Sequence, residues 1–95
     1  MQLAGKTVLV TGASKGIGAE IVRALGAAGA TVIAHCRADR AGAEAALADV
    51  PPGRRHILMA DQSDPRAMDA LWRESLAIAP RIDVVVLNAA VFLNT

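Results

Sequence analysis

Tyrosine is absent from the 95 residues, and lysine occurs only at Lys6 and Lys15. A mechanism that needs a phenol therefore has no residue in this chain to supply it. Cys36 is the single cysteine, which excludes an intramolecular disulfide and a cysteine-built metal site, and suits a reducing compartment. Charge of one sign is also lacking. Ten Lys and Arg against nine Asp and Glu leave a net charge of +1, too balanced for a nucleic-acid or membrane surface. The longest uncharged apolar run, "VVVLNAAVFL", is far too short to span a bilayer. The opening "MQLAGKTVLV" interrupts its apolar stretch with Lys6 and has no signal-type core. A cytoplasmic location, with no membrane or nucleic-acid partner, is the expectation from these absences.

What is present suits one small domain. The composition is 54% hydrophobic, so a core is possible, although much of it is alanine and the core is expected to be thin. "KTVLV" (Lys6 to Val10) reads as a buried strand, and "IGAEIVRALGAAG" follows with helical spacing. Its stripe is expected at Ile17, Ile21, Val22, Leu25 and Ala28, with Gly29 placed to stop it. "ATVIAH" (Ala30 to His35) reads as a second strand, "ADRAGAEAALADV" as a second helix, and "PPG" as a break. "RHILM" (Arg55 to Met59) is the third strand. A helix with Asp64 as N-cap and Pro65 in its first turn comes next. Met68, Leu71, Trp72, Leu76 and Ile78 are expected on its apolar face, and Pro80 closes it. "IDVVVL" (Ile82 to Leu87) is a fourth strand whose β-branched run predicts burial on both faces. The order β-α-β-α-β-α-β predicts an α/β fold with right-handed crossovers and a parallel sheet.

The segment "TGASKGIG" (Thr11 to Gly18) lies between the first strand and the first helix. A pyrophosphate site asks for a strand that delivers the chain to the sheet's carboxyl edge. It also asks for a glycine turn that lets backbone approach the anion, and a helix that starts there with free N–H groups. Gly12, Gly16 and Gly18 meet that description.

The spacing T-G-x-x-x-G-x-G resembles that of the short-chain dehydrogenase/reductase family, and the resemblance covers essentially the whole chain. It implies a Rossmann-type doubly wound parallel sheet, here an incomplete one, with residues 1–95 as the N-terminal part of a single NAD(P)-binding domain. It implies that Gly12 shapes the turn and that Ser14 and the backbone at Lys15 and Ile17 meet the phosphates and ribose. Gly18 would allow close helix–sheet packing. After the third strand, Asp61 and Gln62 match the family's adenine contacts. The fourth strand ends in "LNAA", against the family's N-N-A-G. Asn88 and Ala89 match while Leu87 and Ala90 depart. Asn88 to Ala90 would line the adenosine ribose, and Ala90 adds a methyl and restricts φ where the family has glycine.

Cofactor choice depends on the end of the second strand, where an acid bonds the ribose hydroxyls of NAD and a nearby cation accepts the 2′-phosphate of NADP. Cys36 stands where the acid would be, with Arg37 next to it, and no carboxylate follows until Asp39. Arg37 can hold a phosphate bidentately, and Lys15 adds a second positive charge. NADP(H) is favoured over NAD(H). Cys36 is read as a small apolar residue and His35 as a strand-end residue, neither as a reactive group.

By the same resemblance, the complete enzyme transfers hydride between nicotinamide and a small carbonyl or alcohol substrate, and is a homo-oligomer. The family's catalytic Tyr, Lys, Ser and Asn fall beyond residue 95. Ser14, Ser63 and Ser75 occupy other places, and Asn94 comes too early. No catalytic residue and no metal ligand is assigned, so the chain alone is expected to be inactive. Two other readings stay open: a stand-alone nucleotide-binding module, and a different doubly wound protein that binds a flavin or S-adenosylmethionine. Against the module stands the exposed edge that a fourth parallel strand would leave.

Overall fold

The computed structural model describes residues 2–88. Among the described residues four strands form one sheet: β1 (Thr7–Val10), β2 (Thr31–Cys36), β3 (Arg55–Met59) and β4 (Val84–Val86). Three helices alternate with them: α1 (Gly16–Ala27), α2 (Arg40–Ala46) and α3 (Pro65–Ile78). The spatial order is β3-β2-β1-β4, and every pairing is parallel. The first two crossovers step outward from β1 to β3. The third returns past β1 and lays β4 on its other side, so the strand order reverses beside β1. That reversal opens a crevice at the carboxyl ends of the strands, the usual ligand position in a doubly wound sheet.

Local chemistry sets most element ends. Gly29, at φ +96, ends α1. The Ala30 amide donates to the Leu25 carbonyl and the Gly29 amide to that of Gly26, both at 3.1 Å, the bond pair of a Schellman cap. Asp39 caps α2 by accepting from the Gly42 amide at 2.9 Å. Asp64 caps α3 by accepting from the Arg66 amide, with Pro65 in the first turn as expected. Asp83 starts β4. Its carboxylate accepts from the Thr7 amide at 2.8 Å and its own amide donates to the Thr7 carbonyl at 2.9 Å.

Alternation along the strands divides the core. Val8, Val10, Val32 and Ala34 share one cluster with Ala19 and Val22 of α1 and Leu47 and Val50 beyond α2. Leu9, Ile33 and His35 occupy the alternate positions and are also buried. α3 packs against β3, on the opposite face by the right-handed rule.

Three expectations about burial are corrected. On α1 the buried residues are Gly18, Ala19, Val22 and Gly26, whereas Ile17 is 72% exposed. The rest of the stripe holds in part: Val22 is in the core and Ile21 and Leu25 pack against it, while Gly26 lies so close to Val50 that a Cβ would strike its side chain. On α3 only Leu71 and Ser75 are buried, and Trp72 is 43% exposed. The Ser75 hydroxyl satisfies itself on the Leu71 carbonyl at 2.8 Å. β4 is not covered on both faces. Val84 is 48% exposed, and β4 pairs only with β1 among the described residues.

Candidate functional site

The turn after β1 must leave the sheet, reverse and enter α1 within a few residues. Gly12 and Gly16 adopt φ +62 and +63, where an L side chain is strained. Gly18 is required for a different reason. A Cβ there would overlap the Gly12 carbonyl oxygen and lie 2.6 Å from Asn88 Nδ2. The first turn of α1 is left open. Its N-cap Lys15 makes no side-chain capping bond, and the turn carries no acidic residue. Free N–H groups and the positive end of the helix dipole therefore remain for an anion.

Residues far apart in the chain hold this turn. Asn88 Nδ2 donates to the Gly12 carbonyl at 3.2 Å, and the Asn88 amide donates to Thr11 Oγ1 at 3.0 Å. The Thr11 amide donates to the Val86 carbonyl at 3.0 Å. From the other side, the Gly12 amide donates to His35 Nδ1 at 3.2 Å, and the Ala13 amide donates to the His35 carbonyl at 2.9 Å. Thr11 and His35 received no site role from the sequence. A histidine within an otherwise apolar strand was the available signal, because a buried imidazole has to find partners.

These elements enclose a cleft of about 350 Å³ lined by Gly12, Ser14, Lys15, Gly16, Ile17, Arg37, Gln62 and Asn88. Eight residues singled out in the sequence thus meet in one place. Two more lie beside it. Gly18 packs behind the turn, and Asp61 approaches Arg37, Nη2 to Oδ2, at 3.8 Å. Ala89 and Ala90 lie outside the described residues. A larger hollow, about 510 Å³, lies between α2 and β3, with Arg40, Glu44, Arg55 and His56 in its wall. None of the glycine-turn residues lines it. Its Arg55 is committed to the Val50 carbonyl at 3.0 Å and its Arg40 to Glu44 at 3.3 Å. The smaller cleft has the open helix end and the exposed cations, and it is the candidate site.

Its lining carries Lys15 and Arg37 and no carboxylate. Asp61 accepts from the Ser63 amide at 2.9 Å and the Ser63 hydroxyl at 2.8 Å. Those bonds, with a smaller contribution from Arg37, hold its carboxyl below the usual carboxylate range against some desolvation. It stays ionised beside Arg37 at neutral pH. Asp39, the next acid after Arg37, is occupied as the cap of α2. Cys36 is buried, and burial pushes its thiol up, with Asp39 adding to the rise and Arg40 opposing it. Among the described residues no cluster of His, Cys, Asp or Glu suits a metal, and no helix is long and apolar enough to cross a membrane.

A family model described as short chain dehydrogenase matches residues 6–95. The chain belongs to this family. The family's members are dehydrogenases and reductases that bind nicotinamide cofactors. The chain is 37% identical over 91 residues to 3beta-hydroxysteroid dehydrogenase 1 of Eggerthella lenta, covering 94% of this chain and 35% of that protein. A short-chain dehydrogenase/reductase from Serratia marcescens superimposes with TM-score 0.88 at 35% identity, over 97% of this chain and 38% of that one. The N-domain of a bacterial malonyl-CoA reductase with NADP matches with TM-score 0.85 at 35% identity, over 94% of this chain and 17% of that one. The chain thus spans about a third of the length of the curated relatives it matches.

Proposed function

We propose that these residues are the cofactor-binding half of an NADP(H)-dependent oxidoreductase that moves hydride between nicotinamide and a small carbonyl or alcohol substrate. In this reading residues 1–95 are the N-terminal part of one dinucleotide-binding domain, and the complete enzyme is a homo-oligomer. The observation that carries the cofactor choice is the charge of the cleft: Lys15 and Arg37 line it without a lining carboxylate. An NADP 2′-phosphate finds a planar bidentate donor in Arg37 and a point charge in Lys15. NAD would need an acid to pair with its ribose hydroxyls, and Cys36 stands in that place.

The cradle also fits the pyrophosphate. Gly18 lets α1 pack directly against the Gly12 carbonyl, where a Cβ would collide, and the first turn of α1 offers backbone N–H groups at Gly16 and Ile17. Ser14 lies in the same wall as Gly12 and meets the ribose and phosphates. Asp61 and Gln62 take the adenine, and Asn88 with Ala89 and Ala90 takes its ribose. The nicotinamide supplies the hydride chemistry when bound; the residues described here bind and orient it.

Parallel titrations of the protein as its gene encodes it with NADPH and NADH test this reading. Tighter NADPH binding is the expected result, accompanied by carbonyl-dependent loss of NADPH absorbance. Binding of neither nucleotide overturns the reading, and preference for NADH overturns the cofactor choice.

A further inference from the structure

His35 is wholly buried, at 0% relative exposure, two residues before Arg37. Both of its ring nitrogens are engaged. Gly12 N–H lies 3.2 Å from Nδ1, and the Ala60 carbonyl oxygen lies 2.9 Å from Nε2. An amide N–H only donates and a carbonyl only accepts, so the two partners leave one arrangement. Nδ1 is the bare acceptor, Nε2 carries the hydrogen, and the ring is neutral.

The partners belong to two separate parts of the cleft. Gly12 opens the glycine turn, whereas Ala60 immediately precedes Asp61 and Gln62. Backbone bonds extend the same junction: Ala13 N–H donates to the His35 carbonyl at 2.9 Å, and Ala60 N–H donates to that of Cys36 at 3.1 Å. Gly12 itself has no side chain to hold its φ of +62. It is secured from outside, by His35 on its N–H and by Asn88 Nδ2 on its carbonyl at 3.2 Å.

We infer that His35 is a positioning residue of the dinucleotide site, whose imidazole, fixed as the Nε2–H tautomer, holds the phosphate-binding turn in register with the segment that meets the adenine. The inference rests on the cofactor reading above. The ring does not touch the cofactor. It acts through Gly12 on one side and through Ala60 on the other.

Two substitutions separate these arms. His35→Asn puts an amide oxygen near the place of Nδ1, which keeps the acceptor for Gly12 and loses the donor to Ala60. His35→Gln puts an amide NH₂ near the place of Nε2, which keeps the donor to Ala60 and leaves the Gly12 N–H buried without an acceptor. The full protein, wild type and both variants, is titrated with NADPH. The Gly12 amide is followed by hydrogen exchange, and the His35 ring nitrogens by ¹⁵N NMR. NADPH binding is expected to weaken in both variants, on the order of tenfold or more in His35→Gln, whose turn loses its acceptor, and about threefold in His35→Asn, whose turn keeps it. Gly12 exchange accelerates only in His35→Gln, and the wild-type spectrum shows a bare Nδ1 beside a protonated Nε2. A structural role alone would lower thermal stability and affinity in parallel in both variants, and that pattern overturns the inference. A cationic ring or the Nδ1–H tautomer in the wild type overturns it without any variant. Wild type that binds NADPH while His35→Gln binds equally well defeats this inference alone. Wild type that binds neither nucleotide defeats the cofactor reading and this inference with it.

Discussion

Arg37 Nη2 stands 3.8 Å from Asp61 Oδ2 beside the cleft, with the two side chains 74% and 45% exposed. A pair so open to water is weak, so Asp61 does not trap Arg37. A 2′-phosphate can recruit the guanidinium at little cost. Arg37→Glu is expected to weaken NADPH on the order of tenfold to a hundredfold, because it removes a charge-assisted contact and adds a repulsive one. NADH binding should change little. Parallel titrations of the variant with both nucleotides check this, and equal losses would remove Arg37 as the selector.

Gly18→Ala tests the need for space behind the turn. The added methyl meets the Gly12 carbonyl and Asn88 Nδ2, and neither can retreat without breaking the bond between them. A stability loss of about 1–3 kcal/mol is expected from overpacking, with a loss of cofactor binding. Gly53→Ala is the control, since a Cβ there has no heavy atom within 4 Å and its φ is ordinary. Denaturant unfolding of both variants decides the matter. A Gly18→Ala protein as stable as the control would contradict the packing seen here.

Asp83 links the start of β1 to the start of β4 and makes stability depend on pH. The Thr7 amide, then Arg81 and Lys6, hold its carboxyl below the usual range against some desolvation. A depressed folded value means that the contribution is complete above the unfolded carboxylate range. It is lost as pH falls through the folded value. Asp83→Asn should therefore lower Tm at neutral pH, and the gap to wild type should close in acid. A gap that widens on acidification would show that the sign is wrong.

The Cys36 thiol should react with a disulfide reagent only as fast as the protein opens. It is buried, and burial disfavours the thiolate that attacks. Labelling should accelerate steeply with denaturant and follow unfolding. Rapid, stoichiometric labelling in native buffer would place Cys36 in a different environment.

Much of the fold was legible along the chain because its signals are local. β3 occupies Arg55–Met59 as read, and Asp64 with Pro65 starts α3 as read. Alternation, helical spacing and caps act over a few residues, so they can be seen in order. Burial was less legible because it depends on what packs opposite. Ile17 fits the apolar stripe of α1 by spacing, yet it lies at the mouth of the cleft, while Gly18, Val22 and Gly26 face inward. The β-branched run at Val84–Val86 suggested cover on both faces, but a strand's cover is supplied by other elements.

By itself, the amino-acid order determined the alternation of strands and helices, the glycine turn between β1 and α1, and the cations at positions 15 and 37. Each follows from propensity, backbone freedom or charge, which a residue carries wherever it is placed. Only the tertiary structure decided what holds that turn. Gly12 is 23 residues from His35 and 76 from Asn88, and His35 is 25 from Ala60. No local period spans those separations. The parallel sheet brings all four to one edge because every strand ends in the same direction, and there the buried imidazole takes the single tautomer that both of its neighbours accept.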